Sequence, residues 1–181
     1  MKVVPPPLRR WGPATFWTIV FLISQANLMR HLGALDPSFF AMQFTFTQDA
    51  YKDILEAWGP GGVEQFREHF QFDLIHPLLF ALLGWVTVRT SPLFHGYDNS
   101  SWRLVLPVAA ACDYCENLCQ LQLLNNWALD PTEIEDRFVL ISGVCASVKW
   151  MLATAFILVL LKQLITYRRA DSADAASAAT F

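Results

Sequence analysis

The sequence predicts an all-α fold: a polytopic membrane protein whose four transmembrane helices form a bundle, with short amphipathic helices in the first outer loop. Three observations predict it. Apolar side chains make up 54% of the 181 residues and charged ones only 16%, where ordinary globular domains carry about 25% charged residues. The apolar residues gather into four runs, 14–29, 74–88, 104–124 and 138–164, on the scale of the ~20 residues that a helix needs to cross a bilayer. Acidic residues concentrate between the runs: Asp36, Asp49, Asp53, Glu56, Glu64 and Glu68 in one connection, Asp130, Glu133, Glu135 and Asp136 in another. The chain therefore divides into a cytoplasmic N-terminal segment 1–13, a transmembrane domain 14–166 with an outer cap over about 46–70, and a disordered cytoplasmic tail 167–181.

The N-terminal segment, with Pro5, Pro6, Pro7 and the Arg9–Arg10 pair, reads as an extended topology signal, and Trp11 and Trp17 suit the membrane interface. The first run has no small-residue cleavage site of the secretory kind and is read as a retained span. It turns polar late, at Ser24, Gln25, Asn27 and Arg30.

The connection after it is patterned rather than plain. Tyr51, Ile54, Leu55 and Trp58 share one helical face, Thr47 and Asp49 suit the start of that helix, and the glycines and proline of 59–62 break it. A second short helix over about 63–70 leads to the next run. Both fit amphipathic helices lying on the outer surface. Asp73 stands where an N-cap belongs, because Pro77 is tolerated only in the first turn of a helix. His69, Asp73 and His76 also fall on one face at i, i+4 and i+7.

The third run carries the chemistry. At 100° per residue, Asp113, Glu116, Asn117 and Gln120 occupy one arc of its helix, although each central acid costs about 2.5–3.5 kcal/mol on an insertion scale. Partners of matching depth exist on other runs: His76 and Asp73 on the second, and Lys149 near the middle of the fourth. Cys112, Cys115 and Cys119 form an adjoining stripe, read as small apolar residues. The fourth run also has a small-residue surface, Ser142, Gly143, Ala146 and Ser147, suited to close packing or a partner helix.

Three arrangements accommodate these groups. In one, the network serves packing only, Lys149 neutralising Asp113 or Glu116 while Asn117, Gln120 and His76 complete the hydrogen bonds. In another, a lipid-facing acid/base or cation-binding site for an apolar or cationic lipid-like molecule, Glu116 is the principal acid/base, with Asp113 its charge partner and Lys149 the counter-ion, and Asn117, Gln120, His76 and Asp73 orient the bound molecule. A zinc or iron set from Asp73, His76, Asp113 and Glu116 is the third, but only one acid–x–x–His pair is present, so no metal ligand and no cofactor is assigned.

An Asp-x-x-x-Pro start (Asp73, Pro77), Asp-x-x-Glu-Asn (Asp113, Glu116, Asn117) and a lone intramembrane Lys149 before Trp150 together resemble small four-helix integral membrane proteins of bacterial type. The resemblance covers most of 46–150. It implies the fold and carries no catalytic assignment.

The expected function is an integral membrane protein whose intramembrane polar site binds, or does acid/base chemistry on, a lipid-like or isoprenoid-like molecule. The alternative is a structural or assembly subunit of a membrane complex. Catalysis itself is not legible in these residues. Membrane lipids, a lipid-like ligand, and a second copy or membrane-protein partner are the expected associations. A net charge of −3 without a Lys/Arg cluster argues against nucleic acid. Lys2, Arg9, Arg10, Arg89, Arg103, Lys162, Arg168 and Arg169 lie on one side, against Arg30, Lys52, Arg67 and Arg137 on the other. That asymmetry places the chain in the cell membrane with both termini cytoplasmic.

Overall fold

Each apolar run becomes an α-helix, and among the described residues the connections add two more and a 3₁₀ turn at Pro92–Phe94. The computed structural model describes residues 11–94, 101–132 and 134–178; the N-terminal segment up to residue 10 lies outside them. The helices are α1 (Trp11–Leu32), α2 (Phe39–Gln43), α3 (Gln48–Asp73), α4 (His76–Thr90), α5 (Trp102–Leu129) and α6 (Asp136–Ala178). No strand occurs among the described residues. Helix α6 continues through the Ala/Ser/Asp-rich stretch after residue 170, past the point where a disordered tail is expected; alanine is the best helix former.

Local chemistry accounts for the breaks. Thr47 caps α3, its hydroxyl accepting from the Ala50 amide. Gly59 then takes φ 63° and ψ −177°, a conformation open essentially to glycine alone, so α3 is two arms joined at a kink. The break expected over 59–62 is thus narrowed to one residue, because Pro60 fits the first turn of the second arm. The next break corrects the sequence reading. Asp73 closes α3 instead of capping α4, whose N-cap is Ile75 and whose first turn holds Pro77. Two side chains of α5 seal the gap: Asn117 donates to the Asp73 carbonyl (3.4 Å) and Tyr114 to that of Leu74 (2.6 Å), satisfying acceptors that a helix end leaves open.

The long helices form an arc in the order α1, α4, α5, α6, with α5 packed most extensively, between α4 and α6. Close approach depends on small residues. A Cβ on Gly84 would lie 2.6 Å from Leu106 Cβ, and one on Gly143 would lie 2.5 Å from the Thr45 carbonyl oxygen and 2.8 Å from the Phe46 ring. The Gly143 surface, expected to suit a partner helix, is therefore occupied from within the chain. At the ends of the arc, α1 and α6 are not packed along their length; Trp11 and Tyr167 meet edge-on at 5.8 Å.

Two apolar clusters fill the arc. One joins α2 and α3 to the end of α5 and the start of α6, through Met42, Tyr51, Leu55, Phe66, Leu123, Leu124 and Val139. The other lies at the far end, around Val88, Phe94, Leu106 and Phe156. Between them, at 113–120 of α5 and 149 of α6, sits the polar layer.

By length and composition alone, one helix among the described residues, α6 over Asp136–Arg169, is able to cross a membrane, and only 17% of its most apolar stretch is buried. Helices α3 and α4, 41° apart, pass the same test only when taken together. The expectation of four spans meets a physical obstacle in the other helices. Helix α4 has 15 residues, α1 carries Gln25, Asn27 and Arg30, and α5 carries the acids and amides of the polar arc.

Candidate functional site

The third run places its polar arc toward the other helices: Asp113, Glu116, Asn117 and Gln120 are each at most 3% exposed. Lys149 reaches across from α6 and donates to Asp113 Oδ1 at 2.8 Å and to Glu116 Oε2 at 2.6 Å. One ammonium thus serves two carboxylates one turn apart, and such charge-assisted bonds are the strong ones.

A second group faces them from the α3–α4 break. His69 donates through Nδ1 to the Phe66 carbonyl, which turns Nε2 toward Asp73 Oδ2 at 3.5 Å. His76, on α4, pairs through Nδ1 with the Ser24 hydroxyl of α1 at 2.9 Å and lies between the rings of Phe21 and Phe80. The helix break means that the three residues do not share one helical face. They nevertheless line the same cavity.

That cavity, about 260 Å³, brings together every sequence-predicted site residue: Asp73, His76, Asp113, Glu116, Asn117, Gln120 and Lys149. Apart from Gln25, Gln43 and His69, its remaining wall is apolar and rich in aromatic rings, with Phe21, Phe39, Phe66, Phe70, Phe80 and Phe156. Residues of α1 line one side and residues of α6 the other, so the cavity follows the seam that these two helices leave unpacked. At the α2 end, Trp150 donates to Gln43 Oε1 at 2.9 Å and packs on Phe40 at 5.6 Å between ring centres.

Several residues were not legible as parts of this site. Tyr51, fully buried, donates its hydroxyl to Gln120 Oε1 at 2.8 Å, and Gln120 Nε2 donates to Ser142 Oγ at 2.8 Å. Burial pushes the Tyr51 phenol pKa up, so the hydroxyl keeps the proton that it donates. The helical face of Tyr51 marks it as core, and nothing local identifies its hydroxyl's partner 69 residues away. Ser24 and Gln43 are equally silent in sequence. The cysteines stay thiols, with Cys119 buried and Cys112, Cys115 and Cys145 half-buried.

Chemically the site offers ionisable groups beside apolar volume, held in position by bonds among α1, α3, α4, α5 and α6. No group of three His, Cys, Asp or Glu among the described residues is arranged to hold a metal ion. No protein-family model, curated protein or solved structure matches the chain.

Proposed function

We propose that this is an integral membrane protein whose cavity binds a lipid-like or isoprenoid-like molecule and does acid/base chemistry on it. The observation that carries the reading is the joining, in one cavity, of an ionisable floor to an aromatic wall along the unpacked α1–α6 seam. A molecule with a polar end and an apolar body fits such a division.

The membrane part of the reading is supported by the surface. Phe16, Ile19, Leu22 and Ile23 of α1, Leu78 and Leu82 of α4, Leu104, Val108 and Leu118 of α5, and Ile141, Val144, Met151, Leu158 and Leu161 of α6 are all exposed. Apolar surface on that scale is not stable against water. On this reading α1, α4, α5 and α6 span the cell membrane as a four-helix bundle, α2 and α3 cap its outer face, and both termini are cytoplasmic. The arginines at the far end agree, with Arg89 and Arg103 flanking Trp85 at 5.8 and 5.7 Å, an arrangement suited to an interface. Glu116 is the principal acid/base, Asp113 its charge partner and Lys149 the counter-ion.

A second reading, a structural or assembly subunit, is favoured by one observation: no fully buried side-chain nitrogen or oxygen among the described residues lacks a hydrogen-bond partner. One experiment separates the two. Protein extracted from membranes in mild detergent is analysed by mass spectrometry for retained small molecules, beside an Ala153→Trp variant that fills the cavity. A lipid-like molecule held by the wild type and absent from the variant supports the site; equal retention, or none in either, favours the structural subunit.

A further inference from the structure

The floor of the cavity sets three carboxylates, Asp73, Asp113 and Glu116, against one ammonium and the imidazoles of His69 and His76, and its one lysine is already engaged. Lys149 directs two bonds to Asp113 and Glu116, which leaves it poorly placed to receive a phosphate or carboxylate. Each of those acids uses one oxygen for Lys149; the other has no protein partner among the described residues. Since no fully buried side-chain oxygen among the described residues lacks a partner, those second oxygens keep some accessible surface, and both residues line the cavity. Asp113 is 3% exposed as a residue, so that surface is not bulk solvent. Asp73 adds a third carboxylate on the facing wall, beside His69. Asp113 and Glu116 set two carboxylates against the one ammonium of Lys149, so this trio, when ionised, carries one negative charge beyond what Lys149 neutralises.

An uncompensated charge in apolar surroundings is unfavourable unless a proton or a cation supplies the balance. The neighbouring rings supply what an organic cation in particular uses. Phe21, Phe66, Phe70 and Phe80 line the same space, and aromatic faces attract ammonium groups, as the Trp150 ring already does with Lys149 Nζ at 5.7 Å. The volume then limits the ligand. At about 260 Å³, the cavity lies just below the ~300 Å³ lower end of ordinary ligand pockets. It holds a head group and the start of a chain, and the remainder must leave along the seam between α1 and α6, where Ile157, which lines the cavity and is exposed, continues the apolar path.

We infer that the cavity recognises a cationic amphiphile, an amine or quaternary ammonium on a single hydrocarbon chain, with its head against Asp113, Glu116 and Asp73 and its tail in the α1–α6 seam. The inference rests on the binding site proposed above and adds the charge of the ligand. Anionic chains are repelled by the floor. Neutral chains leave its charge unbalanced.

The test uses the full chain in nanodiscs of zwitterionic lipid, with radiolabelled hexadecyltrimethylammonium as probe and empty nanodiscs subtracted. The expected result is one saturable site from which hexadecylamine displaces the probe at least tenfold better than hexadecanol or hexadecanoate. The uncharged triad Asp113→Asn, Glu116→Gln, Lys149→Met should weaken probe binding at least tenfold; Asp73→Asn serves the same purpose if the triad variant does not fold. Displacement by hexadecanol or hexadecanoate as good as by the amine overturns the charge preference while leaving the amphiphile site in place. Absence of any saturable, chain-dependent binding overturns both.

Discussion

The Nζ of Lys149 lies 2.6 Å from Oε2 of Glu116, and their side chains are only 10% and 2% exposed. With Asp113 at 2.8 Å from the same nitrogen, the three form a unit whose members depend on one another. Lys149→Met should therefore destabilise the protein by about 3–5 kcal/mol, the usual effect of leaving buried charge without its partner. The uncharged triad Asp113→Asn, Glu116→Gln, Lys149→Met should recover most of that loss. Unfolding in micelles, followed by circular dichroism, checks both; additive losses would show that the three act independently.

The Tyr51–Gln120–Ser142 chain ties the α3 cap to α5 and α6. Tyr51→Phe removes one hydroxyl and strands a buried amide oxygen, an effect of about 1–3 kcal/mol. In a Gln120→Met background the same substitution should have much less effect, because the acceptor is already gone. A double-mutant cycle on the unfolding midpoint measures the coupling.

Glycines at two positions of the same chain should respond with opposite sign. Gly143→Ala introduces a Cβ 2.5 Å from the Thr45 carbonyl oxygen, and overpacking of this kind destabilises by about 1–3 kcal/mol. Gly61→Ala meets nothing within 4 Å and should stabilise by up to about 1 kcal/mol through helix propensity. Thermal midpoints of the two variants give the comparison directly.

Gly59 tests backbone conformation without crowding. A Cβ there also meets nothing within 4 Å, yet its φ is 63°. Gly59→Ala should still destabilise, by about 1–3 kcal/mol. It should also raise protease sensitivity near the kink, measured by limited digestion from the cap side. An unchanged digestion pattern and midpoint would mean that the two arms of α3 can join in another geometry.

Much of the site was legible before any tertiary information. A 100° period places Asp113, Glu116, Asn117 and Gln120 on one arc, and counting the helical rise from the ends of the runs brings Lys149 to the level of the acids. Both follow from helix geometry, which repeats locally and so can be read from a single stretch of chain. Thr47 as a cap and the buried face of Tyr51, Ile54, Leu55 and Trp58 are legible for the same reason.

What the sequence determined by itself was the helical character of the chain, which residues are polar, and the faces that α5 and the first arm of α3 turn inward. The tertiary structure decided the rest: that Asp73 ends one helix rather than starting another, that Gly143 is covered by Thr45 and Phe46, that Tyr51 meets Gln120, and that α1 and α6 leave a seam along the cavity. Each of these is a choice between neighbours far apart in the chain. Such choices are settled by how closely surfaces approach and by which open carbonyls a distant side chain can reach, and local periodicity contains neither quantity.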